Sequence, residues 1–223
     1  MEHTIKIHTQ GRYYTLGEKN SNNKSVWFVF HGYGMQAEEF IKKFDCIDDG
    51  QTLIVAPEGM HRFYSRSTRG KVSASWMTSD LREWDIINNI QFLNQVLAEI
   101  SSLNLSDDFK VGVLGFSQGS PTSVRWVANL EQKVSELVVW GSDMPSDIVD
   151  VSTYLKKVNN CNIKLIIGSN DEYISSEQTD DLIMDLHDKG VEFDFHSFEG
   201  KHEIHVDSVR YFHARLVDEK LEY

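Results

Sequence analysis

The sequence predicts an α/β fold, with a mostly parallel, twisted sheet covered by helices on both faces. Three observations carry this expectation. Short apolar, β-rich runs alternate with longer amphipathic ones, the pattern of strands joined by crossover helices. The runs are nearly continuously apolar, as strands buried on both faces are. Hydrophobic residues make up 40% and charged residues 25% of the 223 residues, enough for one sizeable core but too little chain for two comfortable domains. A single domain spanning residues 1–223 is therefore expected.

Buried strands are expected at 26–30, 52–56, 110–114, 136–140, 163–167 and 191–197. Ahead of them, 4–8 and 12–16 flank a Thr-Gln-Gly turn and read as an antiparallel hairpin at one sheet edge. Helical spacing is clearest over 84–100, where Ile86, Ile87, Ile90, Leu93, Val96, Leu97 and Ile100 form one apolar stripe. Further helices are expected at 37–44, 118–130, 176–189 and 202–216. The stretch 58–80 has no clear period and carries Arg62, Arg66, Arg69 and Lys71 among Phe63, Tyr64 and Trp76. Such a segment serves either as a solvated loop or as a lid over a site. Between Trp140 and Ile163 there is room for one small helix, so no large cap domain is expected.

A formal net charge of -12 argues against a nucleic-acid partner, since phosphate binding needs clustered Lys and Arg, and anionic lipid would repel the chain in the same way. No apolar run reaches the roughly 18 residues of a membrane span, and the first residues lack the long apolar stretch of a signal peptide. A cytoplasmic protein without membrane insertion is expected. The two cysteines, Cys46 and Cys161, are far apart and lack zinc or redox spacing, so they read as reduced core residues.

The run Gly115-Phe116-Ser117-Gln118-Gly119 follows an expected strand and precedes an expected helix. In that context a Gly-x-Ser-x-Gly pattern marks a nucleophile on a strained strand-to-helix turn, with glycines relieving the crowding. A serine hydroxyl attacks only if a base removes its proton and an acid holds that base in the right tautomer. Of nine histidines, His202 is placed best, just after the last strand and at the start of the last helix. His205 lies inside that helix, His196 in the strand and His187 on a helix surface. His202 and His205 are three apart, whereas a zinc helix needs two histidines four apart, so no metal is expected. For the acid, Asp171 follows the strand ending at Ile167; Asp143 is the rival one strand earlier, and Glu172 a third choice. Oxyanion donors are expected from the backbone N–H of Gln118 and of Tyr33, the latter in His31-Gly32-Tyr33-Gly34.

At these motifs the sequence resembles the small phospholipase/carboxylesterase group of α/β-hydrolases, which includes acyl-protein thioesterases. The resemblance rests on His-Gly-Tyr-Gly at 31–34, Gly-Phe-Ser-Gln-Gly at 115–119, Gly-Ser-Asn-Asp at 168–171 and Gly-Lys-His-Glu at 200–203. It implies Ser117, Asp171 and His202 as the triad and Tyr33 as an oxyanion donor. Ala-Pro-Glu-Gly-Met at 56–60 and Ser-Trp-Met at 75–77 are also similar to a bacterial subgroup of predicted esterases. Two departures stand out. Ser120-Pro121 replaces a second glycine after the nucleophile motif, which the first helical turn tolerates, and Met35 replaces an aspartate after the oxyanion loop.

The resulting expectation is a cofactor-free serine hydrolase that cleaves small-molecule esters or thioesters of small to medium acyl groups. Trp76 and Tyr33 are candidate walls of the acyl pocket, although a tryptophan is more often core. Lysophospholipase and acyl-protein thioesterase activities would use the same triad. A non-catalytic, ligand-binding member of the fold is the reading from another class, and monomer and dimer both stay open.

Overall fold

A computed structural model describes residues 1, 3–103, 105–106, 108–145 and 161–217. Seven strands form one sheet: β1 (Tyr13–Leu16), β2 (Ser25–Phe30), β3 (Thr52–Pro57), β6 (Lys110–Phe116), β7 (Glu136–Trp140), β8 (Asn162–Gly168) and β9 (Asp194–Phe198). Their spatial order is β1-β3-β2-β6-β7-β8-β9, and β4 (His61–Tyr64) with β5 (Val72–Ser75) makes a separate two-stranded hairpin. Every pairing within the large sheet is parallel except that of β1 with β3. The helices are α1 (Ala37–Phe40), continued by a 3₁₀ turn over Ile41–Ile47, then α2 (Arg82–Ser101), α3 (Gly119–Asn129), α4 (Ser176–Asp188) and α5 (Val206–Val217).

Period-two side-chain alternation divides each strand between two cores. On β2, Val26, Phe28 and Phe30 join Leu93 and Val96 of α2, Trp126 of α3 and Leu186 of α4 in one cluster. Trp27 and Val29 face the other way and join Phe40, Phe44, Phe212 and Leu216. With both faces covered, the near-continuous apolar strands of the sequence have their explanation.

Several expectations need correction. The antiparallel edge is present, but β1 pairs with β3 and not with 4–8, which forms no strand. Ile5 and Ile7 are 87% and 80% exposed, so that segment has no apolar surface to rest on. The aperiodic 58–80 stretch contains the β4–β5 hairpin. The expected 37–44 helix tightens into 3₁₀ geometry after one turn, and the last helix begins at Val206, leaving His202 in the loop before it. The inner face of α2 starts with Asp85 and Asn89, while Ile87 is 43% exposed. Most of the Trp140-to-Ile163 stretch, and the expectation about a cap, lies outside the described residues. Among the described residues, no helix is long and apolar enough to cross a membrane.

Candidate active site

Because β2, β6, β7, β8 and β9 run parallel, the loops after them gather at one edge of the sheet. That edge receives Tyr33, Ser117, Gly141, Asp171 and His202. Ser117 has φ +53°, a left-handed conformation that costs a non-glycine residue about 1–3 kcal/mol. Its surroundings hold it there. The Ser117 N–H donates to Trp140 O at 2.8 Å, and the Ser117 carbonyl accepts from Ser120 N–H at 2.9 Å. The bracketing glycines permit contacts that a side chain would block: a Cβ on Gly115 would lie 2.4 Å from Ser120 Cα, and one on Gly119 2.4 Å from Phe30 O. Ser120, the departure from the family pattern, is fully buried, and its hydroxyl donates to Gly115 O at 2.6 Å. It ties the turn to the strand that delivers it.

His202 Nδ1 lies 2.7 Å from Asp171 Oδ2, and the two side chains are only 11% and 1% exposed. The other carboxylate oxygen of Asp171 accepts from the N–H groups of Tyr173 and Ile174 at 2.8 and 3.1 Å. An ionised carboxylate only accepts, so His202 Nδ1 carries the proton and Nε2 keeps the lone pair in the neutral ring. The ring sits between Phe116 and Tyr173, each with its centroid 4.8 Å away. Phe116 is the residue before Ser117. Gly141, with φ +60°, makes room on a third side, since a Cβ there would lie 2.9 Å from His202 Cε1. The His202 N–H also donates to Glu172 at 3.2 Å, and this bond is the main reason the Glu172 carboxyl is held below its usual range. Neither the Ser117 hydroxyl nor His202 Nε2 has a hydrogen-bond partner among the described residues.

Asp143 is exposed and its carboxylate faces Ser142 rather than His202. The other histidines are engaged elsewhere: His205 with Ser208, His196 against Tyr211, and His187 against Phe193. Among the described residues, no three His, Cys, Asp or Glu cluster in a way that could hold a metal ion.

The loop after β2 is braced from behind. Gly59 N–H donates to His31 Nε2 at 3.0 Å, so Nδ1 holds the proton and donates to Gly32 O at 2.8 Å. Burial pushes the His31 pKa down, consistent with this neutral tautomer. Gly34 N–H donates to Ala74 O and Ala74 N–H to Met35 O, fastening the loop to β5. A Cβ on Gly32 would lie 3.2 Å from Ser117 Cβ, which sets the Tyr33 backbone beside Ser117. The Gln118 side chain is fixed as well: its oxygen accepts from Trp76 N–H at 3.1 Å and its amide donates to Met77 O at 3.0 Å.

Trp76 belongs to the core on the α2 and α3 side of the sheet. It is wholly buried, stacks on His31 at 5.0 Å, and donates its indole N–H to His31 O at 2.8 Å. Its aromatic bulk is used to support the loop. Tyr33 does stand at the surface, 64% exposed, with its ring stacked on Phe63 at 5.4 Å. Three supporting groups were not singled out from sequence. Gly141 could have been: a glycine ending the strand beside the nucleophile strand is a signal. Tyr173 had only its place two residues after the acid. Glu58 had none. It is fully buried and accepts from Arg12 at 2.6 Å, Arg62 at 3.2 Å and Ala37 N–H at 3.2 Å. Burial raises its pKa, but these donors outweigh that effect and hold the carboxyl below its ordinary value.

A family model described as serine hydrolase (FSH1) matches residues 21–206. The chain belongs to this serine hydrolase family. The structure of this serine hydrolase is similar to acyl-protein thioesterase 2 from Zea mays, with a TM-score of 0.69, 18% identity, and 93% of this chain and 100% of the other covered. A carboxylesterase from Mesorhizobium loti gives a TM-score of 0.69 at 17% identity, covering 93% and 94%. A phospholipase/carboxylesterase from Dyadobacter fermentans gives 0.63 at 16%, covering 96% and 100%. At these identities the likeness shows the shared α/β-hydrolase fold. Comparison with curated proteins by sequence gave no match.

Proposed function

We propose that this serine hydrolase cleaves carboxylic esters or thioesters through an acyl-enzyme on Ser117, with His202 as base and Asp171 as its orienting acid. The observation that carries the reading is the 2.7 Å contact between His202 Nδ1 and Asp171, set against Phe116 and Gly141 beside the Ser117 turn. As the Ser117 oxygen bonds to the carbonyl carbon, its proton passes to His202 Nε2. The same proton then goes to the leaving oxygen or sulfur as that bond breaks. Water, deprotonated by His202 in turn, releases the acid and restores the serine. Negative charge on the carbonyl oxygen is met by the backbone N–H groups of Tyr33 and Gln118, and a donor of this kind is worth about 3 kcal/mol. The Gln118 side chain is already bonded to β5 and the segment after it, which leaves the backbone N–H for this task.

The reaction draws on no cofactor. The reading includes a one-domain enzyme in the cytoplasm, supported by the two free thiols, Cys46 half-buried and Cys161 buried, as expected where thiols stay reduced. The names of the structural neighbours favour esters and thioesters as substrates. Replacing Ser117 by alanine is expected to lower kcat on p-nitrophenyl butyrate by about 10⁶-fold and to abolish fluorophosphonate labelling, with the circular dichroism spectrum unchanged. Undiminished turnover in that variant sinks the assignment. A panel of thioesters and lysophospholipids of graded chain length separates the thioesterase and lysophospholipase alternatives.

A further inference from the structure

Charge is spread unevenly along this chain. None of its 34 acidic residues lies between 59 and 79, a stretch that carries Arg62, Arg66, Arg69 and Lys71. All four are exposed, on the β4–β5 hairpin and the turn that closes it. Arg66, Arg69 and Lys71 form no ion pair among the described residues. The net charge of -12 repels anions from a distance, but at physiological salt charges more than about 8 Å away are largely screened. An anion at the hairpin therefore answers first to its nearest cations.

One of the four cations belongs to a cavity of about 490 Å³, whose walls include Tyr33, His61, Arg62, Phe63 and Ser75 and no acidic residue. Tyr33 follows Gly32, which packs against Ser117, and the Ser75 hydroxyl lies 3.1 Å from the Gln118 side-chain oxygen. The cavity thus opens beside the Ser117 turn, on its β2 side. His202 reaches the turn from the other side, past Gly141 at the end of β7. Because a leaving group must sit beside the residue that protonates it, the acyl chain extends the other way, toward the cavity.

Glu58 tethers the Arg62 guanidinium. Arg62 Nε donates to Glu58 Oε1 at 3.2 Å, and the same oxygen accepts from Arg12 at 2.6 Å. One buried carboxylate faces two guanidinium ions, so one positive charge is left uncompensated. Arg12 alone would neutralise Glu58. The two terminal nitrogens of Arg62 have no hydrogen-bond partner among the described residues, and the side chain is 37% exposed. A guanidinium held at Nε presents that terminal pair as a fork matched to a carboxylate. Beside His61 stands Asp85, its Oδ1 2.8 Å from Nε2, so an acyl anion is drawn to the Arg62 end of the cavity rather than to the His61 end.

We infer that the cavity is the acyl subsite and selects acyl groups that end in a carboxylate, which binds the terminal nitrogens of Arg62 while the carbon chain lies on the stacked rings of Tyr33 and Phe63. This inference rests on the esterase reading above. It is tested by comparing kcat/KM at pH 8 for p-nitrophenyl hydrogen adipate and p-nitrophenyl hexanoate, which share a leaving group and a chain length. The wild type is expected to prefer the adipate by about tenfold, the scale of one charge-assisted pair at a partly exposed site. The ratio should shrink severalfold when salt is raised to about 0.5 M. In Arg62→Gln it falls to about one, through the KM of the adipate, and in Arg62→Lys it falls partway, because the charge remains without the fork. Equal or better use of hexanoate by the wild type overturns the inference while leaving the esterase reading standing, as does a preference that survives Arg62→Gln or high salt. Turnover of neither ester by an enzyme whose Ser117 still takes a fluorophosphonate label overturns it as well. If Ser117 also resists that label, the esterase reading fails and takes this one with it. Should Arg62→Gln fail to fold, the wild-type ratio, its salt dependence and Arg62→Lys decide.

Discussion

Two histidine–aspartate pairs flank the nucleophile turn, and they differ in which ring nitrogen the carboxylate holds. On the β9 side, Asp171 holds His202 at Nδ1, the nitrogen next to the stem of the side chain. On the hairpin side, Asp85 Oδ1 lies 2.8 Å from His61 Nε2, the nitrogen at the tip. A ring held near its stem offers its tip to whatever lies beyond it, as a proton carrier between two reacting atoms must. A ring held at its tip offers only a recessed nitrogen, to which a partner has to come. The difference extends to the surroundings, since His202 is enclosed by Phe116, Tyr173 and Gly141, while His61 faces a cavity. The same two residue types thus stand enclosed on one side, where the proposed mechanism needs a proton carrier, and open on the other.

The largest expected effect tests the β9 pair directly. Asp171→Asn is expected to lower kcat on p-nitrophenyl butyrate by about 10⁴-fold, because the ring loses its enforced tautomer. Asp143→Asn, in the turn one strand away, should change kcat by less than about twofold. A matching loss in both variants would reassign the acid. The next effect probes the enclosure. In Gly141→Ala the new Cβ meets His202 Cε1 at 2.9 Å on a backbone with φ +60°. A kcat loss of about 10²-fold is expected from the displaced ring, with roughly 1 kcal/mol of stability lost in urea unfolding. An active, fully stable Gly141→Ala enzyme would break the claim that the ring is held by packing.

The smallest effect lies on the hairpin side, where Arg62 of β4 is anchored to buried Glu58. Glu58→Gln is expected to cost about 2 kcal/mol at pH 7, because the two arginines lose their charged partner but can rehydrate. The folded carboxyl titrates below its unfolded value, so its stabilisation is complete above the ordinary glutamate range and fades as pH falls through the folded value. Urea midpoints taken from pH 7 to pH 3 should therefore fall more steeply in the wild type than in the variant.

Local patterns were readable from sequence and distant pairings were not. The Ser117 turn announces itself because the glycines that make room for it lie within two residues of the serine. The parallel strands were located to within a few residues, since burial on both faces leaves an apolar run. The face of α2 was misjudged because Asp85 and Asn89 are buried by partners far along the chain: His61 for one and, for the other, the Trp76 carbonyl at 2.8 Å. Periodicity counts apolar residues and is blind to a polar residue that is satisfied from elsewhere. Trp76 stayed between cleft and core for a related reason, as its bond to His31 joins segments 45 residues apart. The β4–β5 hairpin escaped notice because β4 mixes charged and aromatic residues and β5 is built mainly of small ones.

The side chain of Gln118 has a consequence for how this enzyme changes over time. It rivets the residue after the nucleophile to Ser75, Trp76 and Met77, the strand end and chain on which the hairpin rests. Insertions or drift at the base of the hairpin would be transmitted to the very N–H that the proposed mechanism assigns to the oxyanion. Variation at the base of the hairpin is therefore the kind this scaffold tolerates least.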